Sequence, residues 1–124
     1  MQDSPTPATL ASAIADLLKR EFLPNLTDHL AFQTRVAINA LDLIARQTST
    51  QAATDAAECA RLVALLKHEG ALAELNAELA RKIADGELDL ATPGLAEHLW
   101  ATTLEKLAVD QPNYASYRAE IARK

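Results

Sequence analysis

The sequence predicts an all-α fold, a compact bundle of five to six short amphipathic helices. Hydrophobic residues make up 49% of the 124-residue chain, and alanine and leucine, which are strong helix formers, dominate them. β-branched apolar residues are sparse, and there are only three glycines. A chain of this length has the commonest size of one domain. We therefore expect a single helical domain over residues 1–124.

The first predicted helix is bounded by a cap and a proline. Thr6 is a suitable N-cap, and Pro7 follows it at the first helical position. The helix is predicted to run to about Phe22, because Pro24 disfavours helical geometry in the residue before it. Its apolar stripe, expected to face the core, comprises Leu10, Ile14, Leu17 and Leu18.

The second predicted helix is the most apolar of the set. It begins at a cap formed by Thr27 and Asp28 and runs to about Gln47. Apolar residues cover most of its girth, which is typical of a central helix. The remaining polar strip consists of Arg35, Asn39, Asp42 and Arg46.

The third and fourth predicted helices follow a break at Thr48, Ser49 and Thr50. The third helix runs to about His68, and Gly70 separates it from the fourth. The fourth ends at Gly86, a residue type favoured just beyond a helix C-terminus. Its apolar positions at helical spacing are Leu72, Leu75, Leu79 and Ile83.

The fifth and sixth predicted helices share the C-terminal third of the chain. Thr92 and Pro93 repeat the cap signal of the first helix, and Pro112 ends the fifth helix after about Gln111. Asn113 is predicted to cap the short sixth helix. One face of that helix carries Tyr114, Tyr117 and Ile121.

Polar residues interrupt the apolar arc of the fifth predicted helix. At about 100° per residue, Thr103 and Asp110 project inside that arc and Lys106 lies at its edge. The favoured structural interpretation has Asp110 accept backbone N–H groups of the sixth helix or pair with Lys106 or Arg35, because a buried carboxylate needs a partner. The functional interpretation is a ligand pocket lined by Arg35, Asn39, Thr103, Lys106 and Asp110.

Charge and composition exclude several classes of function. The net charge is −5, which repels nucleic acid and anionic membranes. No apolar run approaches the roughly 20 residues that span a bilayer, and the N-terminus lacks the apolar core of a signal peptide. The single cysteine, Cys59, fits a reducing compartment. We therefore expect a cytoplasmic protein that binds neither nucleic acid nor membrane.

No motif in the sequence indicates a metal, a cofactor or a catalytic residue. The metal-binding spacings Glu-x-x-His and His-Glu-x-x-His are absent, and no serine lies in a Gly-x-Ser-x-Gly turn. The three glycines are isolated, so no glycine-rich loop cradles a phosphate. His29, His68 and His98 are predicted to lie at the surface.

Four stretches of the chain together resemble a known family. They are residues 1–3 with 5–6, 32–41, 86–90 and 101–112. The most specific of them is Thr-Thr-Leu-x-Lys-Leu-Ala-Val-Asp-Gln-Pro at 102–112. The family is a group of small bacterial helical proteins of unknown function. Its genes are often found beside those for an aminoglycoside-phosphotransferase-like kinase and an acyl-CoA dehydrogenase.

The resemblance implies a context and no known activity. Members often carry histidine where this chain has Gln33, which argues against histidine chemistry at that position. The implied role is a cytoplasmic accessory protein that acts near the kinase and the dehydrogenase. No catalytic residue is transferred by the resemblance.

Three functions compete at this stage. The first is a non-catalytic interaction protein for the kinase-like protein or the acyl-CoA dehydrogenase. The second is a helical domain that binds an acyl or acyl-CoA ligand, with Arg35 and Lys106 for its anionic group. The third and weakest is an enzyme that uses Asp110 and Lys106. A homodimer is a further expectation, because a small chain leaves part of a broadly apolar helix uncovered.

Overall fold

The computed structural model describes residues 4–123, and they form an all-α protein without β-strands, as predicted. The described chain contains five α-helices, and a π-helical turn (Leu18–Phe22) and a 3₁₀ turn (Leu23–Asn25) connect the first two. The helices are α1 (Pro7–Leu17), α2 (Asp28–Leu66), α3 (Leu72–Ala84), α4 (Leu95–Asp110) and α5 (Ala115–Ile121). Residues 1–3, which are part of the family resemblance, lie outside the described residues.

The chain divides into two compact units, residues 1–51 and 52–124, and the division falls within α2. The N-terminal unit is a helical hairpin made of α1 and the first part of α2. Thr6 caps α1 as predicted, because the Thr9 backbone N–H donates to its hydroxyl oxygen at 3.1 Å. Lys19 forms a 3.0 Å ion pair with Asp42 and thereby connects the end of the hairpin turn to α2.

Small residues form the interior of this hairpin. Ala11 and Ala15 of α1 and Ala31 and Ile38 of α2 are its buried residues. The predicted stripe of α1 lies elsewhere, since Leu10, Ile14 and Leu17 are nearly half exposed. Alanine allows two helices to approach closely, and the larger side chains are then displaced to the sides of the contact.

The predicted helix break at residues 48–50 is wrong, because α2 continues through it for 39 residues. Thr48 and Thr50 donate their hydroxyls to the carbonyls of Ile44 and Arg46, four residues earlier. Ser49 donates to the Arg46 carbonyl. These side chains bond backwards along the helix instead of capping a new one. The predicted bundle consists of short helices, and α2 is longer than that prediction allows.

Leucines form the core of the C-terminal unit. Leu62 of α2, Leu75 and Leu79 of α3, and Leu95 of α4 are buried together. They pack against a shell of half-buried side chains: Cys59, Val63, Leu65, Leu66, Leu72 and Leu88. The predicted end of α3 is confirmed, because Gly86 follows it with a φ of +76°, a conformation that glycine adopts without strain.

Two predicted caps differ from the structure. The N-cap of α4 is Gly94, with a φ of +86°, rather than Thr92. The Thr92 hydroxyl instead accepts the Asp89 backbone N–H at 3.1 Å within the preceding turn. Tyr114, not Asn113, occupies the N-cap position of α5. In both places the turn chemistry was recognised from sequence but shifted along the chain by one or two residues.

Candidate functional site

Helix α4 turns polar side chains toward the interior of the C-terminal unit. His98 is buried, and Thr102 and Glu105 are half-buried. These three residues are spaced by four and three positions, so they share one side of the helix. The side with Leu99 and Trp100 is exposed. Leu95 and Leu104 are buried as well, so the inward side of α4 combines polar and apolar residues while another apolar part of the helix stays outside.

A paired arginine connects α2 to this polar side of α4. Arg61 donates through both terminal nitrogens to Glu105, with Nη1–Oε1 and Nη2–Oε2 distances of 3.0 and 2.7 Å. Its Nη2 also donates to the Thr102 hydroxyl at 3.3 Å. The two charged side chains retain only 25% and 26% of their exposure. The bidentate geometry fixes the rotation of α4 relative to α2 as well as their distance.

A second polar contact joins α2 to α3. Asn76 donates its side-chain N–H to Glu58 Oε1 at 2.8 Å. Glu58 precedes Arg61 by three residues on α2, so both project toward one side of that helix. We call Glu58, Arg61, His98, Thr102 and Glu105 the polar cluster. Arg61 joins the cluster to α4 through hydrogen bonds, and Glu58 joins it to α3.

His98 lies within the polar cluster and is 3% exposed. Burial lowers its pKa, and the positive charge of Arg61 lowers it further, while Glu58 and Glu105 act in the opposite direction. The imidazole is therefore neutral at pH 7. His98 Nδ1 and Arg61 Nε are buried and have no hydrogen-bond partner in the described structure. A buried polar atom of this kind costs stability unless a water reaches it.

The five residues predicted from sequence as a ligand site or buried cluster are all exposed. Arg35 and Asn39 lie on α2 in the N-terminal unit, whereas Thr103, Lys106 and Asp110 lie on α4 in the C-terminal unit. The predicted inward orientation of Thr103 and Asp110 is wrong. The Thr103 hydroxyl donates to the Leu99 carbonyl at 2.7 Å along its own helix. A role of these residues in binding remains a prediction.

The predicted orientation of α4 is wrong because the prediction assigned the more apolar arc of the helix to the core. The prediction placed Trp100 and Leu99 toward the core, and Thr103 lies between them in projection. The structure instead places the opposite side of α4 inward, including His98, which was predicted to be at the surface. One feature of the sequence could have indicated that this side of α4 faces inward. Thr102 and Glu105 lie three apart, and Arg61 is an arginine among the apolar residues that end α2.

Two of the cavities that the described residues line have similar volumes, and the polar cluster lines neither of these two. One has a volume of about 480 Å³ and lies in the N-terminal unit against Ala8, Thr9, Ser12, Ala45, Arg46 and Ser49. The other has a volume of about 520 Å³ and lies in the C-terminal unit against Ala56, Cys59, Ala60, Val63, Glu69 and Gly70. The hydrogen bonds that the members of the polar cluster make with one another and with Asn76 favour an internal network over a substrate site.

Within residues 4–123, no three histidine, cysteine or acidic side chains converge in a way that could hold a metal ion. Nor does any helix there combine the length and apolarity that crossing a bilayer requires.

The fold and the polar cluster define an all-helical protein with two compact units, one of which contains a bidentate ion pair and a buried histidine beside its leucine core. The chain belongs to the family described as a domain of unknown function (DUF6285), whose model matches residues 24–114. The match includes α2, α3 and α4, and hence every member of the polar cluster. No curated protein and no solved structure matches the chain.

Proposed function

We propose that this protein is a non-catalytic interaction protein that binds another protein through the outer side of α4. The observation that carries the proposal is that two large apolar side chains of this helix are exposed while polar residues occupy part of its inward side. Its polar residues contact Arg61 in the interior, and Leu99 and Trp100 are 40% and 53% exposed. Tryptophan is the residue type most enriched among those that dominate binding energy at protein interfaces.

The orientation of α4 is enforced rather than incidental. Rotating the helix to bury Trp100 would separate Glu105 from Arg61 and leave both charges without their hydrogen bonds. Loss of a paired charge in a partly buried environment is more costly than the exposure of one aromatic side chain. The ion pair therefore keeps the apolar side of α4 available to a partner.

The family resemblance suggests which partners to test. Genes for a phosphotransferase-like kinase and an acyl-CoA dehydrogenase are expected beside the gene for this protein, and both products are candidate partners. Each purified partner would be immobilised, and binding of this protein would be measured by biolayer interferometry. Trp100→Ala is expected to weaken binding at least about 30-fold, the effect of an interface residue worth about 2 kcal/mol.

The matched control is Phe32→Ala, which removes an aromatic side chain that is 61% exposed in the N-terminal unit. It is expected to leave the affinity for the partner unchanged. If neither candidate partner binds at 10 µM, or if Trp100→Ala binds as well as the wild type, the proposal is wrong.

A second candidate function is the binding of an acyl-CoA-type ligand in the 480 Å³ cavity of the N-terminal unit. Arg46 lines this cavity together with Thr9, Ser12 and Ser49, so a cation and three hydroxyls border one space. Cavities of this size accommodate small ligands. A ligand at 100 times its dissociation constant adds about 2.7 kcal/mol of stability. Thermal unfolding with a panel of acyl-CoA esters would test this, and an unchanged melting temperature across the panel would eliminate it.

A further inference from the structure

The N-terminal hairpin exposes an apolar face that its own helices leave uncovered. The exposed fractions of Leu10, Ile14 and Leu17 on α1 lie between 45% and 47%. On α2, Leu30 and Ile44 are 58% and 45% exposed. Ala37 lies between these two on the same side of α2 and is also exposed. We call these six residues the hairpin face.

Both helices contribute to the same side of the hairpin. Each residue turns a helix by about 100°. Counted from the buried alanines, the members of the hairpin face on α1 and those on α2 are rotated away from the interior in the same direction about their own helix axes. The helices run antiparallel, because the cavity places Ala8 and Ser12 beside Arg46 and Ser49 while Lys19 reaches Asp42. In antiparallel helices, equal senses of rotation lead to the same side of the pair. That cavity, with Ser12 and Arg46, lies on the opposite side.

The hairpin face carries no charged residue. Between residues 30 and 48, the charged residues of α2 are Arg35, Asp42 and Arg46, and all three project toward the interior or the cavity side. On α1 the one charged residue is Asp16, which also projects away from the face. In a symmetric dimer a charge near the two-fold axis would approach its own copy, and the uncharged hairpin face avoids that repulsion.

The area of the face matches what a dimer needs. Its five large side chains together expose on the order of 400 Å² of apolar surface, within the range of functional patches on monomers. A standard interface buries about 800 Å² per partner, of which about 60% is apolar. Ala37, the sixth member of the face, and the bordering, half-buried Leu41 add to this apolar area.

We propose that the hairpin face joins two copies of this chain in a symmetric dimer. Each copy supplies α1 and the first part of α2, so that four helices surround a shared apolar interior. The two-helix hairpin buries only three alanines and one isoleucine on its own. In the dimer, the hairpin face of each copy covers that of the other. A four-helix arrangement thus buries apolar side chains that a two-helix hairpin leaves exposed. This proposal is independent of partner binding at Trp100.

Sedimentation-velocity ultracentrifugation of the full chain between 1 and 200 µM tests the dimer. The wild type is expected to have twice the 13.4 kDa chain mass at the higher concentrations. Ile44→Glu places a charge from each copy in the shared interior, and it is expected to raise the dimer dissociation constant at least about 100-fold. Phe32→Glu is the matched control, since Phe32 is an apolar residue 61% exposed on the other side of α2.

Three results would overturn the proposal. A wild-type chain that is monomeric at 200 µM would show that the face does not bind a second copy. An Ile44→Glu variant that remains dimeric, or a Phe32→Glu variant that dissociates, would place the interface elsewhere. Should Ile44→Glu lose helicity by circular dichroism, the wild-type melting temperature still decides, because it must rise with concentration for a dimer.

Discussion

Arg61 is the residue on which the orientation of α4 depends. Arg61→Met keeps much of the aliphatic volume and removes the cation, which leaves Glu105 partly buried without its bidentate partner. We expect a loss of about 2 kcal/mol in the free energy of unfolding, below the ~3–5 kcal/mol of fully buried pairs because both side chains retain a quarter of their exposure. Urea unfolding measures this loss.

The control for Arg61 is a more exposed ion pair in the same chain. Lys19 and Asp42 retain 43% and 32% of their side-chain exposure. Lys19→Met is expected to cost less than about 1 kcal/mol, since solvent screens such a pair. Equal losses in the two variants would show that the Arg61 contact has no special role.

His98 gives stability a defined pH dependence. Its pKa is lowered in the folded chain from the ordinary value of 6.5, first by burial and then by Arg61. The unfolded chain therefore takes up the proton at higher pH than the folded chain does. This contribution to stability is present above pH 6.5 and is lost as the pH falls toward the folded pKa. His98→Gln is expected to lose less stability than the wild type between pH 7.5 and pH 5.

His68 provides the opposite case. Its pKa is raised, first by donation from its ring to the Glu69 carbonyl and then by its contact with Glu78. Its contribution is therefore present below pH 6.5 and is lost as the pH rises through the folded pKa. His68→Gln should change the pH dependence in the direction opposite to His98→Gln. The same direction for both variants would contradict the assignment.

At the scale of the element, α2 differs most from what its sequence predicts. Ser49→Pro distinguishes the continuous helix from a break with a Thr48 cap. Proline at the first position of a new helix would be tolerated, whereas within a continuous helix it costs about 3 kcal/mol or more. The structure predicts the large loss, measured by chemical unfolding and by circular dichroism.

Thr48→Ala is the companion variant for the same question. In the continuous helix the Thr48 hydroxyl only bonds back to the Ile44 carbonyl at 2.7 Å, so alanine is expected to be neutral or slightly stabilising. If Thr48 were an N-cap, the same change would cost about 1 kcal/mol. A destabilised Thr48→Ala together with a well-folded Ser49→Pro would restore the predicted break.

The sequence predicts several local helix signals correctly, but it predicts poorly which side of a helix is buried. The Thr6 cap, the Gly86 terminus and the leucines of α3 were predicted correctly, because each depends on local propensity or on spacing within one helix. The inward side of α4 was not, because its arc with Trp100 is the more apolar one. Only Arg61, distant in sequence, shows why the polar side is inside. Contacts with residues distant in sequence decide which side of such a helix is buried, and the periodicity of the helix does not reveal those contacts.

At the scale of the whole molecule, the two units have different kinds of core. Leucines from three helices fill the C-terminal unit, whereas alanines dominate the interior of the N-terminal hairpin. We expect amide hydrogen exchange in residues 72–84 to be independent of protein concentration. In residues 7–17 protection is expected to increase with concentration, because pairing of two hairpins protects α1. Exchange measured by mass spectrometry at 1 and 100 µM distinguishes the two behaviours.

The exposed indole of Trp100 also has a spectroscopic consequence. The chain contains one tryptophan, so its fluorescence reports from a single site. With the side chain 53% exposed, the emission of the free protein should resemble that of an indole in water. Any protein that covers the outer side of α4 will shift that emission to shorter wavelength, whereas pairing of the hairpins through residues 10–44 would leave it unchanged. The fluorescence of Trp100 therefore reports on one of the two proposed contacts, the binding of a protein to α4.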